Sequence, residues 1–312
     1  MTAALPRVGL IGAGRLASAL APAIVNAGYP VVAVARGSAA ARAAMADAGG
    51  SIATALSPTD SYRAAITQSL AGIRLADSAQ AVADLAQLVF LTVPDGAIAQ
   101  VTAAVHWPAG TAVVHCSGAA GLEVLRTAQE QGAEVGAFHP LQTFPGGEVD
   151  WRGVSVAIEA GTKLAAVLDR LAVALGARPL RLPAGARPLY HASAALASNY
   201  LVTLMAAASD LWPRFGFTRE QGLAALLPLV HSTIGNVERL GAEGALTGPV
   251  ARGDVGTVKA HLEAVGAQAP ELSGLYRRLA AATVPIARRK GTLSEHAARE
   301  LDIILQGDVR CA

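Results

Sequence analysis

Residues able to move a proton are scarce in this sequence: it has 7 histidines, and Lys163, Lys259 and Lys290 are its only lysines. The best-placed histidine is His139, in the string Phe138-His139-Pro140-Leu141-Gln142-Thr143-Phe144. It follows a short β-like run ending at Phe138, and Pro140 stiffens what reads as a loop at the carboxyl end of a strand, where open α/β sheets bind ligands. Histidine titrates near neutral pH, so it suits delivery of a proton beside a carbonyl or imine carbon that accepts hydride. The alternative is that His139 bonds a backbone carbonyl and only orders its loop. Ser117 and Gly118 end another run, His115-Cys116-Ser117-Gly118, and either bind polar groups of a substrate or form a turn. His115 lies inside that run and reads as a core or supporting histidine. Cys116 is no nucleophile activated by it, since neighbours on a strand face opposite ways.

Further along, His191, Ser198 and Asn199 recur at seven- and eight-residue steps and share one side of a helix. On an uncharged, apolar helix such a stripe must hydrogen-bond across helices or face a cleft. We take Asn199 to face the cleft, and His191 as a candidate substrate contact with both readings open. In the Gly/Pro-rich string from Leu246 to Asp254, Arg252 either holds a substrate carboxylate or pairs with Asp254. No histidine pair or carboxylate–histidine cluster has metal-ligand spacing, so no metal site is expected.

Chemistry of this kind needs a hydride carrier, and the amino terminus offers a place for one. Val8–Ile11 reads as a strand, Gly12-Ala13-Gly14-Arg15-Leu16-Ala17 follows, and Leu16, Leu20 and Ile24 begin an apolar helix. A glycine-rich string in that context is a dinucleotide fingerprint. Gly12 makes the tight turn, Gly14 admits a pyrophosphate to the backbone, and Ala17 keeps helix and strand close. The helix start, with the backbone of Ala13, Arg15 and Leu16, offers free N–H groups to phosphate. The second strand ends in Val34-Ala35-Arg36-Gly37-Ser38, where an NAD site usually carries a carboxylate. Arg36 can pair with a 2′-phosphate and Ser38 can donate to it, so the expected cofactor is NADP(H). Val93, Pro94 and Asp95 fall where the next loop passes the nicotinamide-side ribose; Asp95 either serves there or caps the helix starting at Ala97.

The elements that carry these residues divide the chain. Short β-branched runs at Val31–Ala35, Leu88–Val93, Ala112–Cys116, Val135–Phe138, Val154–Glu159 and Arg178–Leu182 alternate with helical stretches, among them Thr162–Leu175. The expectation is a doubly wound, mostly parallel Rossmann sheet over residues 1–183. The long crossover from Ala39 to Ala86 should be interrupted at Ser57-Pro58 and Ala71-Gly72. After Pro183 the strand signals stop, and Leu189–Trp212, Thr218–Leu240, Val255–Val265, Leu272–Arg289 and Ser294–Leu305 have helical length, predicting an all-α domain over residues 184–312. At 312 residues two domains are the default.

Composition excludes several classes. A net charge of +2 and 4% aromatics argue against a nucleic-acid binder. Cys116 and Cys311 build no disulfide framework, and no signal peptide is apparent, so a cytoplasmic location is expected. The charge-free stretch from Arg187 to Asp210 is long enough to span a bilayer. Its serines, Asn199 and alanines instead predict a central helix buried on all sides and no membrane partner.

The Rossmann opening, His115–Gly118, Phe138–Phe144 and Leu246–Asp254 together resemble a two-domain family: a Rossmann-like domain followed by a helical domain of unknown function. The resemblance covers essentially the whole chain. That family is similar to the group containing 6-phosphogluconate dehydrogenase, β-hydroxyacid dehydrogenases, prephenate dehydrogenase, ketopantoate reductase and pyrroline-carboxylate reductase. It implies a helical domain like the carboxyl-terminal one of 6-phosphogluconate dehydrogenase and an NADP-dependent oxidoreductase, with a ketopantoate-type reductase as the first specific guess. Ser117 and His139 match, in order and spacing, the serine and the HP histidine of prephenate dehydrogenases, whose histidine acts on the substrate hydroxyl. The glycine that follows that HP pair is replaced here by Gln142-Thr143-Phe144. The lysine that β-hydroxyacid dehydrogenases carry four residues before an asparagine is Ala195 here, ahead of Asn199. A non-catalytic NADP-binding regulatory protein is the alternative. The apolar helical half further predicts a homodimer formed through that half.

Overall fold

The computed structural model describes residues 4–35, 74–145 and 149–306. Eight strands form one sheet: β1 (Val8–Ile11), β2 (Val31–Ala35), β3 (Arg74–Ala76), β4 (Leu88–Leu91), β5 (Ala112–His115), β6 (Glu134–Pro140), β7 (Ser155–Ala160) and β8 (Arg178–Arg181). Their order is β3-β2-β1-β4-β5-β6-β7-β8. Every neighbouring pair is parallel except β6 and β7. β1 and β4 are buried at each position, which is why these runs are continuously apolar rather than alternating.

Helices cover both faces. α1 (Arg15–Asn26), α2 (Ala79–Leu85), α3 (Ile98–Ala103), α4 (Arg126–Glu130) and α5 (Thr162–Ala174) come after β1, β3, β4, β5 and β7. Alternate strand residues point to opposite layers. Leu10, Phe90 and Phe138 pack with Leu20 and Ile24 of α1 and with Leu164, Leu168 and Leu171 of α5. Ile11, Val89, Leu91 and Val113 pack with Val82 of α2 and Ile98 and Val101 of α3. Truncating one such leucine to alanine costs about 2–5 kcal/mol.

Two features differ from the expectation. β3 is an exposed three-residue strand with no apolar run to announce it. β6 continues through His139 and Pro140 instead of ending at Phe138, because antiparallel β7 pairs with it as far as Pro140 opposite Val156. The interruptions expected at Ser57-Pro58 and Ala71-Gly72 lie outside the described residues, as do Arg36 and Ser38.

The chain divides into two compact units, Met1–Ala195 and Leu196–Ala312. Strands give way to helices between Arg181 and Arg187, beside the 183/184 boundary read from the sequence. The first unit continues into α6 (Arg187–Ala197) because the start of that helix is bonded to the sheet, as described below. From α6 onward the described residues are helical: α7 (Asn199–Ser209), α8 (Arg219–Ala245), α9 (Pro249–Arg252), α10 (Val255–Gln268), α11 (Pro270–Lys290) and α12 (Glu295–Gln306), with a short 3₁₀ turn after α7. A Thr218–Gln221 capping box starts α8, and a core of Val258, Leu262, Val284, Leu301 and Leu305 holds the second unit together.

The single helix expected from Leu189 to Trp212 is two helices, broken at Ser198 (φ −119°, ψ −71°). His191 and Asn199 therefore lie on two helices rather than one. The expectation of burial on all sides is also overturned. The stretch Arg187–Phe215 is long and apolar enough to cross a membrane by length and composition, yet only 6% of its apolar window is buried. Leu189 is 79% exposed and Val202 68%. Lack of charge marks a surface that leaves water; it does not say that the same chain covers it.

Candidate active site

Two glycine turns frame the carboxyl edge of the sheet. At the first, Gly12 has φ 119°, and a Cβ there would lie 2.5 Å from the carbonyl oxygen of Thr92. Thr92 clamps the turn, its N–H donating to Ile11 O (2.9 Å) and its hydroxyl to Gly12 O (3.0 Å). Gly14 precedes α1 in extended conformation, and a Cβ on it would meet nothing within 4 Å. Among the described residues, no side chain caps the leading N–H groups of α1 and no carboxylate of its first turn competes for them. These residues fit a dinucleotide pyrophosphate, and Ala17, fully buried, keeps α1 close to the sheet as expected.

The second turn follows β5 and is crowded. The Ser117 hydroxyl donates to Asp95 Oδ2 (2.6 Å) and accepts from the N–H groups of Ala119 and Ala120 (3.2 and 3.0 Å). The Ser117 N–H donates to His115 Nδ1 (3.2 Å), and its carbonyl accepts from Arg187 Nη1 (2.9 Å). Ser117 is buried, so its hydroxyl makes the turn and ties it to the loop after β4. Asp95 takes that bond instead of capping a helix. His115 is buried, and burial together with the Arg187 charge lowers its pKa to about 4, so it is a neutral supporting residue. Burial raises the Cys116 thiol to about 12, which makes it inert.

Arg187 is the hub. It is 1% exposed at the start of α6, and its Nε donates to Glu159 Oε2 on β7 (2.6 Å). Its Nη2 has no hydrogen-bond partner among the described residues. Fastening Arg187 fixes the first turns of α6 against the sheet, which delivers Tyr190 and His191 to His139. Tyr190 Oη lies 2.8 Å from His139 Nδ1, and the His191 ring packs edge-on to the His139 ring at 6.1 Å. Gly118 is required at this point: a Cβ there would sit 2.5 Å from His191 Cδ2 and 2.8 Å from His139 Nε2.

His139 bonds a phenol, not the backbone carbonyl weighed from the sequence. Burial lowers its pKa to about 4, with His191 and Arg187 adding to the effect, so the ring is neutral at pH 7. Burial raises Tyr190 to about 12, which keeps its proton on.

The structure thus brings together Asp95, Ser117, Gly118, His139 and His191. Val93 is half-buried and Pro94 exposed in the loop after β4. Asn199 and Arg252 belong to the second unit, where both are exposed. Arg252 ends α9, and Asp254 caps α10 through Thr257 rather than pairing with it. Lys290 donates to Leu246 O (2.6 Å) near the end of α8, a structural use of one of the few lysines. Arg187, Tyr190, Glu159 and Thr92 escaped the sequence reading. Glu159 carried a signal: a carboxylate near the end of an otherwise apolar strand needs a partner.

Comparison with known proteins agrees with this organisation. Residues 37–140 match the family model of a Rossmann-like domain, and residues 154–283 match that of a domain of unknown function, DUF2520. The chain therefore has the two-domain organisation its motifs resemble. No curated protein matches the sequence. Among solved structures, a Bacteroides fragilis protein provisionally assigned as an NADP oxidoreductase is similar over 90% of this chain and 98% of its own, with 25% identity and a TM-score of 0.69. A reductive aminase of Aspergillus terreus, in complex with NADPH and ethyl levulinate, covers 96% of this chain and 99% of its own at 18% identity and TM-score 0.58. The 1-pyrroline-5-carboxylate reductase of Streptococcus pyogenes covers 91% and 99% at 15% identity and TM-score 0.53. At those two identities the likeness is one of fold.

Proposed function

We propose that this chain is a cytoplasmic NADP(H)-linked oxidoreductase acting on a small, polar, carboxylate-bearing carbonyl or imine compound. The observation that carries the reading is one sheet edge bearing both an open, uncapped glycine turn and a half-buried histidine held by a phenol. The Bacteroides neighbour at 25% identity supports it. The chain binds NADP(H) through the backbone of Gly12, Ala13, Gly14, Arg15 and Leu16. Arg36 and Ser38 take the 2′-phosphate, and Val93, Pro94 and Asp95 flank the nicotinamide-side ribose. When bound, the reduced cofactor supplies hydride. His139 hydrogen-bonds the atom that becomes electron-rich, and the Ser117–Asp95 and Arg187–Glu159 bonds hold the turn and helix that position it.

A ketopantoate-type 2-oxo acid is the first substrate to assay, followed by cyclic imines and prephenate-like compounds, with NADPH oxidation as the readout. His139→Gln should lower turnover by about 10²-fold or more with NADPH affinity little changed. NADPH binding without oxidation by any of these compounds would favour a regulatory NADP-binding protein instead.

The exposed apolar side chains of Leu189, Leu196, Tyr200 and Val202 support a homodimer in which a second copy covers them, burying more than ~1,000 Å². Light scattering at micromolar concentration tests this: a monomeric mass contradicts it.

A further inference from the structure

We propose that Tyr190 is the proton source of this site, passing its hydroxyl proton to His139 Nδ1 while His139 Nε2 gives its own proton to the oxygen of a carbonyl substrate. The proposal rests on the reductase reading above and extends it to a proton path and a substrate class.

A histidine acting alone fails here. Burial, with His191 and Arg187 adding to it, lowers its pKa to about 4, so the ring carries no proton to spare as an imidazolium at pH 7. The groups acting on it are His191, Arg187, Asp95 and Tyr190; the Arg187 charge opposes protonation and burial opposes it more strongly. A neutral imidazole has one N–H and one acceptor nitrogen, and the bond made by one nitrogen fixes the state of the other. Tyr190 is the one hydrogen-bond partner of His139 among the described residues, at 2.8 Å, with the rings edge to face at 5.6 Å. A phenol that keeps its proton is a better donor than a neutral imidazole, so the bond runs from the Tyr190 O–H to Nδ1. The remaining proton is then on Nε2, the nitrogen that packs against Gly118, where the missing Cβ is what lets the ring approach.

The step balances without charging the ring. As hydride reaches the carbonyl carbon and reduces it, the C=O π pair moves to oxygen. That oxygen takes the Nε2 proton, Nδ1 takes the phenol proton, and the imidazole ends neutral in its other tautomer. The negative charge finishes on Tyr190 Oη, where burial disfavours it and the Arg187 charge partly offsets that cost, until water restores the proton. Such a relay supplies a proton but no positive charge. It serves a ketone, whose oxygen would otherwise be left as an alkoxide. It adds nothing for an iminium, which needs no proton and as a cation is disfavoured beside Arg187.

The first test needs no substrate. In the full-length protein labelled with ¹⁵N-histidine at pH 7, the His139 signals, assigned by their loss in His139→Gln, should report a neutral ring protonated at Nε2. Tyr190→Phe should shift the Nδ1 resonance. A ring protonated at Nδ1, or an imidazolium, overturns the relay. The second test is kinetic: Tyr190→Phe should lower kcat for 2-oxo acid reduction by about 10²-fold, leave KM and NADPH affinity unchanged, and convert a two-proton solvent-isotope inventory to a one-proton one. Any imine reduction that proceeds through the iminium should survive this substitution. Full ketone turnover in Tyr190→Phe overturns the relay while leaving the reductase reading intact. Failure of the wild type to oxidise NADPH with any carbonyl or imine overturns both.

Discussion

The two glycine turns at the sheet edge use the same residue for opposite purposes. Gly14, after β1, has nothing among the described residues within 4 Å of where a Cβ would stand, and the helix behind it begins without a side-chain cap. Gly118, after β5, is hemmed in by His139 and His191, and the residue before it spends every polar atom on the protein itself. On the proposed reading, the first glycine keeps a volume free for a ligand's phosphates. The second lets one strand-borne and one helix-borne ring pack against a backbone. A missing Cβ therefore marks a functional turn in both cases, and only its surroundings say whether the space belongs to a ligand or to the protein's own side chains.

Substitutions that affect one turn and spare the other test this contrast. The largest effect is expected at Glu159→Gln, which leaves the buried Arg187 charge without its ion-pair partner and should cost about 3–5 kcal/mol in urea unfolding. Gly118→Ala should come next: its Cβ displaces the His139 and His191 rings, lowering turnover by about 10²-fold while NADPH affinity holds. Gly14→Ala should do the reverse. With nothing among the described residues within 4 Å to clash, stability should stay within about 0.5 kcal/mol, whereas NADPH affinity should fall at least tenfold, about 1.4 kcal/mol.

Stability also responds to pH. His115 and His139 have folded pKa values near 4 against 6.5 for the free side chain, so the unfolded chain binds protons first as pH falls. The stability gained by keeping these rings neutral is full above pH 6.5 and is lost progressively towards pH 4. The loss is at most about 1.4 kcal/mol per histidine per pH unit. Urea midpoints at pH 7 and pH 5 should show the wild type falling further than His139→Gln.

What was legible in the sequence followed from local patterning. The fully buried strands are apolar runs, and Gly12, Gly14, Ser117, Gly118 and His139 all sit at or just past strand ends, where ligands gather. What was not legible depends on partners distant in the chain. Tyr190 and Arg187 meet His139 and Ser117 across separations of 51 and 70 residues. In sequence Arg187 looks like a linker charge and Tyr190 like one more apolar helix residue. The break at Ser198 has no glycine or proline to announce it, and the extension of β6 through Pro140 is set by its antiparallel neighbour. The exposed apolar face of α6 and α7 was misread because composition fixes how much surface avoids water without naming what covers it.

The account stands most directly on cofactor choice. Calorimetric titration of NADPH and NADH into the wild-type protein should give NADPH an advantage of at least about tenfold, since Arg36 can make charge-assisted bonds to a 2′-phosphate but cannot accept hydrogen bonds from an unmodified ribose. Arg36→Asp should reverse the order. Equal wild-type affinities for the two dinucleotides, or no binding of either, would contradict it.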